Sequence, residues 1–371
     1  MNTTKYQLGE LITQRREKNN EPDLPIRGVS KEGFIPPKQI DADTSIYNVF
    51  YKRDFVFNPA RMELNSIAFN YQYDKAICSS LYEVFYVSRE DIILPEYLAL
   101  IVKQKWFTRY CEFLGQGSAR EYCRFANISE IEIDVPSMEI QRKAVKYNKV
   151  ITDRIELKRK INDNLEAQLS NFYHSIFDKP ENIDFGIISD LGEVVGGATP
   201  STNNPNHFCD DGIAWISPKD LTSTGLKFIY RGEICISEQA YSSCSTKLMP
   251  AGTVLFTSRA PVGTVAIAMN DICTNQGFKS VIPKDNIGTA FVYSFLKENK
   301  QLIESHASGT TFMEVSGSVM KNIPAIIPKP DRAKQFTALC DPLFEIQRQN
   351  EIEIFKLQDL KHTIISSISS R

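Results

Sequence analysis

Four histidines and eight cysteines are the residues of this 371-residue chain best suited to metal, redox or nucleophilic chemistry. His174, His207, His306 and His362 form no H-x-x-x-H pair, and the cysteines, at 78, 111, 123, 209, 235, 244, 273 and 340, form no C-x-x-C. Zinc sites are built from such close-set pairs, so the expectation is reduced, mostly buried thiols, no metal and no cofactor. No G-x-x-x-x-G-K-S/T is present to cradle a nucleotide phosphate. Asn58-Pro59 and Asn204-Pro205 lack the second proline of an Asn-Pro-Pro-aromatic box, and no glycine-rich strand–turn–helix fingerprint accompanies them, so amino-methyl transfer is not expected. Pro330-Asp331 followed by Lys334 has the residue types of a nuclease centre but opens a long helix. The residues predict a protein without catalysis of its own.

Two long helices organise the rest. Residues 137–177 contain no glycine and no internal proline, and Ile151, Ile155, Leu165, Leu169, Phe172 and Ile176 recur in a 4-3 heptad frame that also passes through Asn148, Lys158 and Asn162. A repeat this long argues for a helix paired with another helix, on the order of 60 Å at about 1.5 Å per residue. The alternative is an amphipathic helix buried on one domain. Residues 331–370 supply a partner through Phe336, Leu339, Leu343, Ile346, Asn350, Glu353, Leu357, Leu360 and Ile364. An antiparallel register in which paired numbers sum to about 512 sets Asn162 against Asn350, Leu169 against Leu343, Ile176 against Phe336 and Ile155 against Leu357, with Lys158 near Glu353. Polar groups then meet polar groups, which fixes register.

The chain also repeats itself. Cys78 matches Cys273 at an offset of 195, Arg61 matches Arg259 at 198, Gly117 matches Gly309 at 192, and Leu8-Gly9-Glu10 matches Leu191-Gly192-Glu193. Ile128-x-x-Ile131-x-x-x-Val135-Pro136 matches Met320-x-x-Ile323-x-x-x-Ile327-Pro328, and Leu165 and Leu169 map to Leu360 and Ile364. Chance explains any one match but not the ordered set. The organisation expected is a first globular domain over 1–136, a central long helix over 137–179, a second domain over 180–330 and a distal long helix over 331–371. Strands are expected over 47–58, 65–73 and 81–87 in the first domain and over 252–258, 263–269 and 279–283 in the second. Matching helices are expected over 94–113 and 287–304, with Pro180 stopping the central long helix. The fold class is α+β: two mixed domains joined and separated by an antiparallel coiled-coil pair, with a pseudo-twofold repeat. A hydrophobic share of 42% allows real cores, and a net charge of −2 confines any nucleic-acid binding to local patches. The chain lacks a signal peptide and any apolar run near about 18 residues, so a cytoplasmic protein that does not engage membranes is expected.

The second domain resembles the target-recognition domain of type I restriction–modification specificity (S) subunits. The resemblance is carried by Gly196-Gly197-Ala198-Thr199-Pro200-Ser201, Trp215-Ile216-Ser217-Pro218-Lys219-Asp220-Leu221, residues 248–255 (LMPAGTVL), Thr257-Ser258-Arg259, Thr274-Asn275-Gln276-Gly277-Phe278, Ser308-Gly309-Thr310-Thr311, Pro324 and Pro328. With the repeat-plus-helix layout it covers essentially the whole chain. The first domain departs from it, lacking GGxTPS and the Trp-Ile-Ser-Pro-Lys motif and carrying residues 27–37 (RGVSKEGFIPP) in their place. The resemblance implies a non-catalytic reader of a bipartite double-stranded DNA target. It also implies that the helices set the spacing and dock two copies of the DNA methyltransferase (M) subunit, with restriction/translocase (R) subunits in the larger complex. Half-sites would then fall about one helical turn, roughly 34 Å, or a multiple apart. The alternatives are an S subunit of a variant system cutting on both sides of its site, and a coiled-coil scaffold that does not bind DNA.

For such a reader, phosphates take Lys, Arg, Ser, Thr and Asn, and base edges take bidentate Arg, Lys, Asn or Gln. The candidates are Lys219, Ser258, Arg259, Asn275, Gln276, Lys279 and Thr310 in the second domain, and Arg27, Lys31, Lys38, Arg61, Arg120 and Arg124 in the first. Thr274–Gly277 equally suits a plain turn, Arg61 and Arg259 equally suit structural ion pairs, and Trp215 suits a core position better than a stacking platform.

Overall fold

The computed structural model describes residues 3–37, 39–40, 43–115, 122–259, 261–309 and 313–368. The chain divides into two compact units, residues 1–155 with 356–371, and residues 156–355. Each unit therefore contains one globular domain and a portion of both long helices.

In the first unit an antiparallel sheet runs in the order Ile12–Arg15, Glu83–Val87, Phe55–Phe57, Ile67–Phe69. Side chains alternate along each strand, and both faces are covered. Phe55, Phe57, Ile67 and Phe85 share a core with Leu98 and Phe107 of the helices Pro95–Ile101 and Lys105–Gly115. Val56, Ala68 and Val84 lie on the other side with Phe50 and Ala76 of the ribbon formed by Asn48–Tyr51 and Lys75–Cys78.

The second unit repeats this ladder. Gly192–Gly196, Lys279–Pro283, Val254–Phe256 and Val265–Ala268 follow the same order, and Phe228–Ile229 adds a fifth, parallel strand beyond Val265–Ala268. Val254, Phe256 and Val281 face Phe291 and Phe295 of the helix Thr289–Glu298, while Leu255, Ala266 and Ala268 face Ile216 and Phe278. A smaller sheet orders Phe208–Cys209, Cys235–Ile236, Ile213–Ile216 and Cys273–Thr274.

At the base of each domain its opening strand pairs antiparallel with its last one: Thr3–Gln7 with Glu132–Pro136, and Ile183–Ile187 with Pro324–Pro328. The long helices follow those last strands, α1 spanning Met138–Phe177 and α2 spanning Pro330–Ile368. Pro330 opens α2 where no intrahelical N–H donor is needed, whereas Pro342 sits inside it.

Several expected elements are shorter or divided. The stretch 47–58 is two strands, because Arg53 turns with φ at +70° and the Asp54 carboxylate accepts from the Tyr51 N–H at 2.7 Å. The helix expected over 94–113 breaks between Ile101 and Lys105, and that over 287–304 divides into Thr289–Glu298 and Lys300–Ser305.

Candidate nucleic-acid interface and helix seam

The motifs singled out in the second domain, far apart in sequence, meet at one edge. Trp215 and Ile216 pair in parallel with Cys273 and Thr274. The Ala198 N–H donates to the Thr274 carbonyl at 3.0 Å, the Trp215 indole donates to the Ala198 carbonyl at 3.0 Å, and the Asn275 N–H donates to the Ile216 carbonyl at 2.9 Å. A Cβ on Gly197 would lie 2.1 Å from the Thr274 carbonyl oxygen, and one on Gly277 would lie 2.8 Å from Pro218. Gly197 is there because two loops touch backbone to backbone, and Gly277 because the Pro218 ring and the Asn275 side chain close over it. Thr199 hydrogen-bonds to Gln276 across the same junction.

The polar side chains of this edge form one group. The Lys279 ammonium lies 3.4 Å from the Ser258 hydroxyl, 3.4 Å from the Gln276 carbonyl and 3.3 Å from Glu314 Oε1, while an Arg259 guanidinium nitrogen lies 3.7 Å from Glu314 Oε2. Lys279 is largely covered and Arg259 about one-third exposed. Ser258 is fully buried, so it supports Lys279 from beneath instead of facing a ligand. Asn275 Oδ1 accepts from the Gly277 N–H at 2.8 Å and closes the turn. Lys219 stands apart, exposed and paired with Glu233 at 2.9 Å. Thr310 lies outside the described residues.

Two of the first-domain candidates, Arg27 and Arg124, are held by their own neighbours. Arg27 donates to the Tyr73 hydroxyl at 2.7 Å and lies over its ring, and Arg124 pairs with Glu83 at 3.4 Å. Lys31 and Arg61 are exposed. Lys38 and Arg120 lie outside the described residues.

Along the helices, Asn350 donates to Asn162 Oδ1 at 2.8 Å, and Lys158 contacts Asn350 Oδ1 at 2.9 Å and Glu353 at 2.7 Å. In the first unit Lys361 donates to the Thr152 hydroxyl at 2.8 Å. These pairs run antiparallel. On α1, Ile151, Ile155, Leu169 and Ile176 are buried, with Leu165 and Phe172 half-buried. On α2 the frame needs correcting. Leu339, Ile346 and Leu360 are 39, 47 and 48% exposed, and the covered stripe instead runs through Ala333, Phe336, Cys340, Leu343, Gln347, Asn350, Ile354 and Leu357. The physical reason is that α2 packs on the domain as well as on α1: Phe336 and Cys340 share the second unit's core, and Gln347 turns to a buried polar hub.

That hub, Lys227, was invisible in the sequence. Its side chain is 8% exposed, and its ammonium donates to Glu166 of α1 at 3.0 Å and to Gln347 of α2 at 2.9 Å, with the Tyr293 and Phe344 ring centres 4.1 and 3.9 Å away. Glu351 accepts from the Lys227 and Phe228 N–H groups at 2.9 and 3.1 Å. Burial pulls the Lys227 ammonium down to about 8 against the attraction of Glu166. Burial alone would raise Glu166, but Lys227 and Lys297 beside it hold the carboxyl down to about 2. Glu314, which joins Arg259 to Lys279, was likewise not among the sequence candidates. Neither residue lies in a motif; proximity in the folded chain was the missing signal.

Among the described residues no group of three or more His, Cys, Asp or Glu could hold a metal, and no helix is long and apolar enough to cross a membrane. In the comparisons, the family described as "Type I restriction modification DNA specificity domain" matches residues 9–167 and again 180–356. The MjaIX type I restriction enzyme specificity subunit of Methanocaldococcus jannaschii is 40% identical over 189 residues, covering 48% of this chain and 44% of that protein, so the match spans under half of that relative. The HindI specificity subunit of Haemophilus influenzae is 22% identical over 354 residues, covering 74% of this chain and 76% of that protein. A solved type I restriction–modification system S subunit from M. genitalium superposes with a TM-score of 0.61 at 13% identity, covering 100% of this chain and 96% of that one, and so shares the fold. With its two matched segments coinciding with the two copies of the ladder, the chain belongs to the type I restriction–modification DNA specificity domain family.

Proposed function

We propose that this chain is a non-catalytic, sequence-specific DNA-binding specificity subunit of a type I restriction–modification complex. Each domain reads one half of a bipartite duplex. The helices dock two methyltransferase subunits, with restriction subunits in the larger complex, in the cytoplasm. The reading is carried by the edge where Arg259 meets Gln276 and Lys279 of a second segment, over loops packed backbone to backbone. Such an edge offers a guanidinium and an ammonium to phosphates and base edges from a rigid support. The repeated ladder supplies two similar domains, as a split target and two copies of one partner require. Leu157, Leu339, Ile346 and Phe355 are exposed apolar side chains on the helices of the second unit and suit a docked partner helix.

The test is a mobility shift on random-sequence duplex, with and without the methyltransferase subunit. Weak binding by the chain alone, tight binding with the partner, and loss of both as salt rises are the expected results. No shift in either form at low salt removes the reading and favours a helix-pair scaffold.

A further inference from the structure

Glu314 occupies a place that a phosphate would take. It follows the loop whose ends, Ser308 and Glu314, exchange two backbone hydrogen bonds of 3.0 Å, and the next residue, Val315, donates to the Ser258 carbonyl at 3.1 Å. The carboxylate is thereby fixed over the strand that carries Lys279. Its two oxygens are divided between two cations, Oε1 at 3.3 Å from Lys279 and Oε2 at 3.7 Å from Arg259. This is how a phosphodiester presents its non-bridging oxygens to a lysine and an arginine. The side chain is 37% exposed, and the two cations are the charged partners it meets there.

We propose that Glu314 is an internal counter-ion that keeps this edge from binding DNA indiscriminately, and that duplex phosphate displaces it from Lys279 and Arg259 on binding. The inference rests on the DNA-reading function proposed above. The physical reason is competition. A tethered carboxylate is present at high effective concentration, so a phosphate gains only the difference between its own attraction and that of Glu314. Contact with arbitrary sequence is driven by counterion release from the duplex, and a cation already neutralised within the protein contributes little to it. Binding in which base-edge hydrogen bonds add to the phosphate contacts can still displace the carboxylate. This is discrimination by an unfavourable element, used against the wrong partner.

The test uses the full chain and a fluorescent random-sequence duplex, titrated across about 50 to 200 mM salt. Glu314→Gln keeps the side chain's size while removing its charge. The variant is expected to bind severalfold more tightly at the low-salt end, with the slope of log K against log salt steeper by about 0.9 for each cation released. Lys279→Ala then supplies a second readout that a merely structural role would not move. In the Glu314→Gln background it should abolish most of the gain, a larger loss than the same substitution causes in the wild-type chain. Wild-type binding with an unchanged slope in Glu314→Gln, or a gain indifferent to Lys279, overturns the inference and leaves the DNA-reading function standing. No binding by either protein at the lowest salt overturns this inference, and the DNA-reading function falls with it only if the methyltransferase-bound chain also fails to shift the duplex.

Discussion

The two domains carry one ladder of strands but close it differently. In the first unit the sheet ends at Ile67–Phe69, and Lys103 spans that edge, donating to the Ile67 carbonyl at 2.7 Å and the Lys31 carbonyl at 2.9 Å. In the second unit the corresponding strand, Val265–Ala268, receives a further strand, Phe228–Ile229, preceded by Lys227. The grip on the helices differs accordingly. The first unit uses a neutral amide: Gln141 of α1, fully buried, donates to the Ile92 and Pro136 carbonyls at 2.8 and 2.9 Å and accepts from the Leu94 N–H at 2.8 Å. The second unit uses the Lys227–Glu166 ion pair. The outer edge is also inverted. Glu83 opens the strand in the first unit and pairs with Arg124, whereas Lys279 opens the equivalent strand in the second and pairs with Glu314. The backbone of the repeat is retained while its polar groups differ: a neutral amide in one helix contact and an ion pair in the other, at positions the repeat does not equate, and opposite signs at the edge.

This contrast makes the second junction the more vulnerable one. Glu166→Gln leaves Lys227 buried without its anion and should cost the second unit about 3 kcal/mol. Denaturant unfolding, with amide exchange read at residues 227–229, measures it. A loss below about 1 kcal/mol would place the pair with ordinary surface salt bridges. The same carboxyl gives a pH signature that an amide cannot. Because the folded chain holds Glu166 near 2, below its ordinary 4.5, its contribution is complete above about 4.5 and fades as the pH falls towards 2. The stability gap between wild type and Glu166→Gln should therefore be widest above about 4.5, shrink as the pH rises towards 8 and Lys227 gives up its proton, and close in acid. A gap that persists undiminished at pH 2 would detach the effect from ionisation. In the first unit Gln141→Leu keeps the volume but strands two carbonyls and one N–H, for about 2 kcal/mol with no pH dependence of its own. An effect as large as that of Glu166→Gln would erase the distinction between the junctions.

The parts legible in the sequence were those written as periodicity or as repeated motifs. The heptad frame and the matched prolines marked two long helices, and the ordered motifs marked two copies of one unit. Residue spacing also put Asn162 opposite Asn350 and Lys158 beside Glu353. The α2 stripe was misread at Leu339, Ile346 and Leu360 because a 3-4 frame admits two phases. The choice between Leu339 and Cys340, or between Ile346 and Gln347, depends on what else the helix packs against. A buried glutamine reads as polar surface until the lysine it binds is known. Lys227 and Glu314 were beyond reach for a related reason. Each acts through partners distant in sequence, and a single charged residue between turns looks the same whether it is solvated or buried.

The smallest predicted effect bears on what holds α1 against α2. Lys158 is 16% exposed at its side chain and Glu353 33%, an intermediate setting where salt and water weaken attraction but do not remove it. Lys158→Met keeps the aliphatic stem, leaves Asn350 its bond to Asn162, and should cost under about 1 kcal/mol, less as salt is raised. If the seam's polar layer serves register and the domain junctions supply the stability, amide exchange near residues 158 and 353 should quicken slightly while the Lys227 and Gln141 junctions stay protected. A loss of several kcal/mol from this one ammonium would reverse that order, making the seam the main clamp and the two junctions secondary.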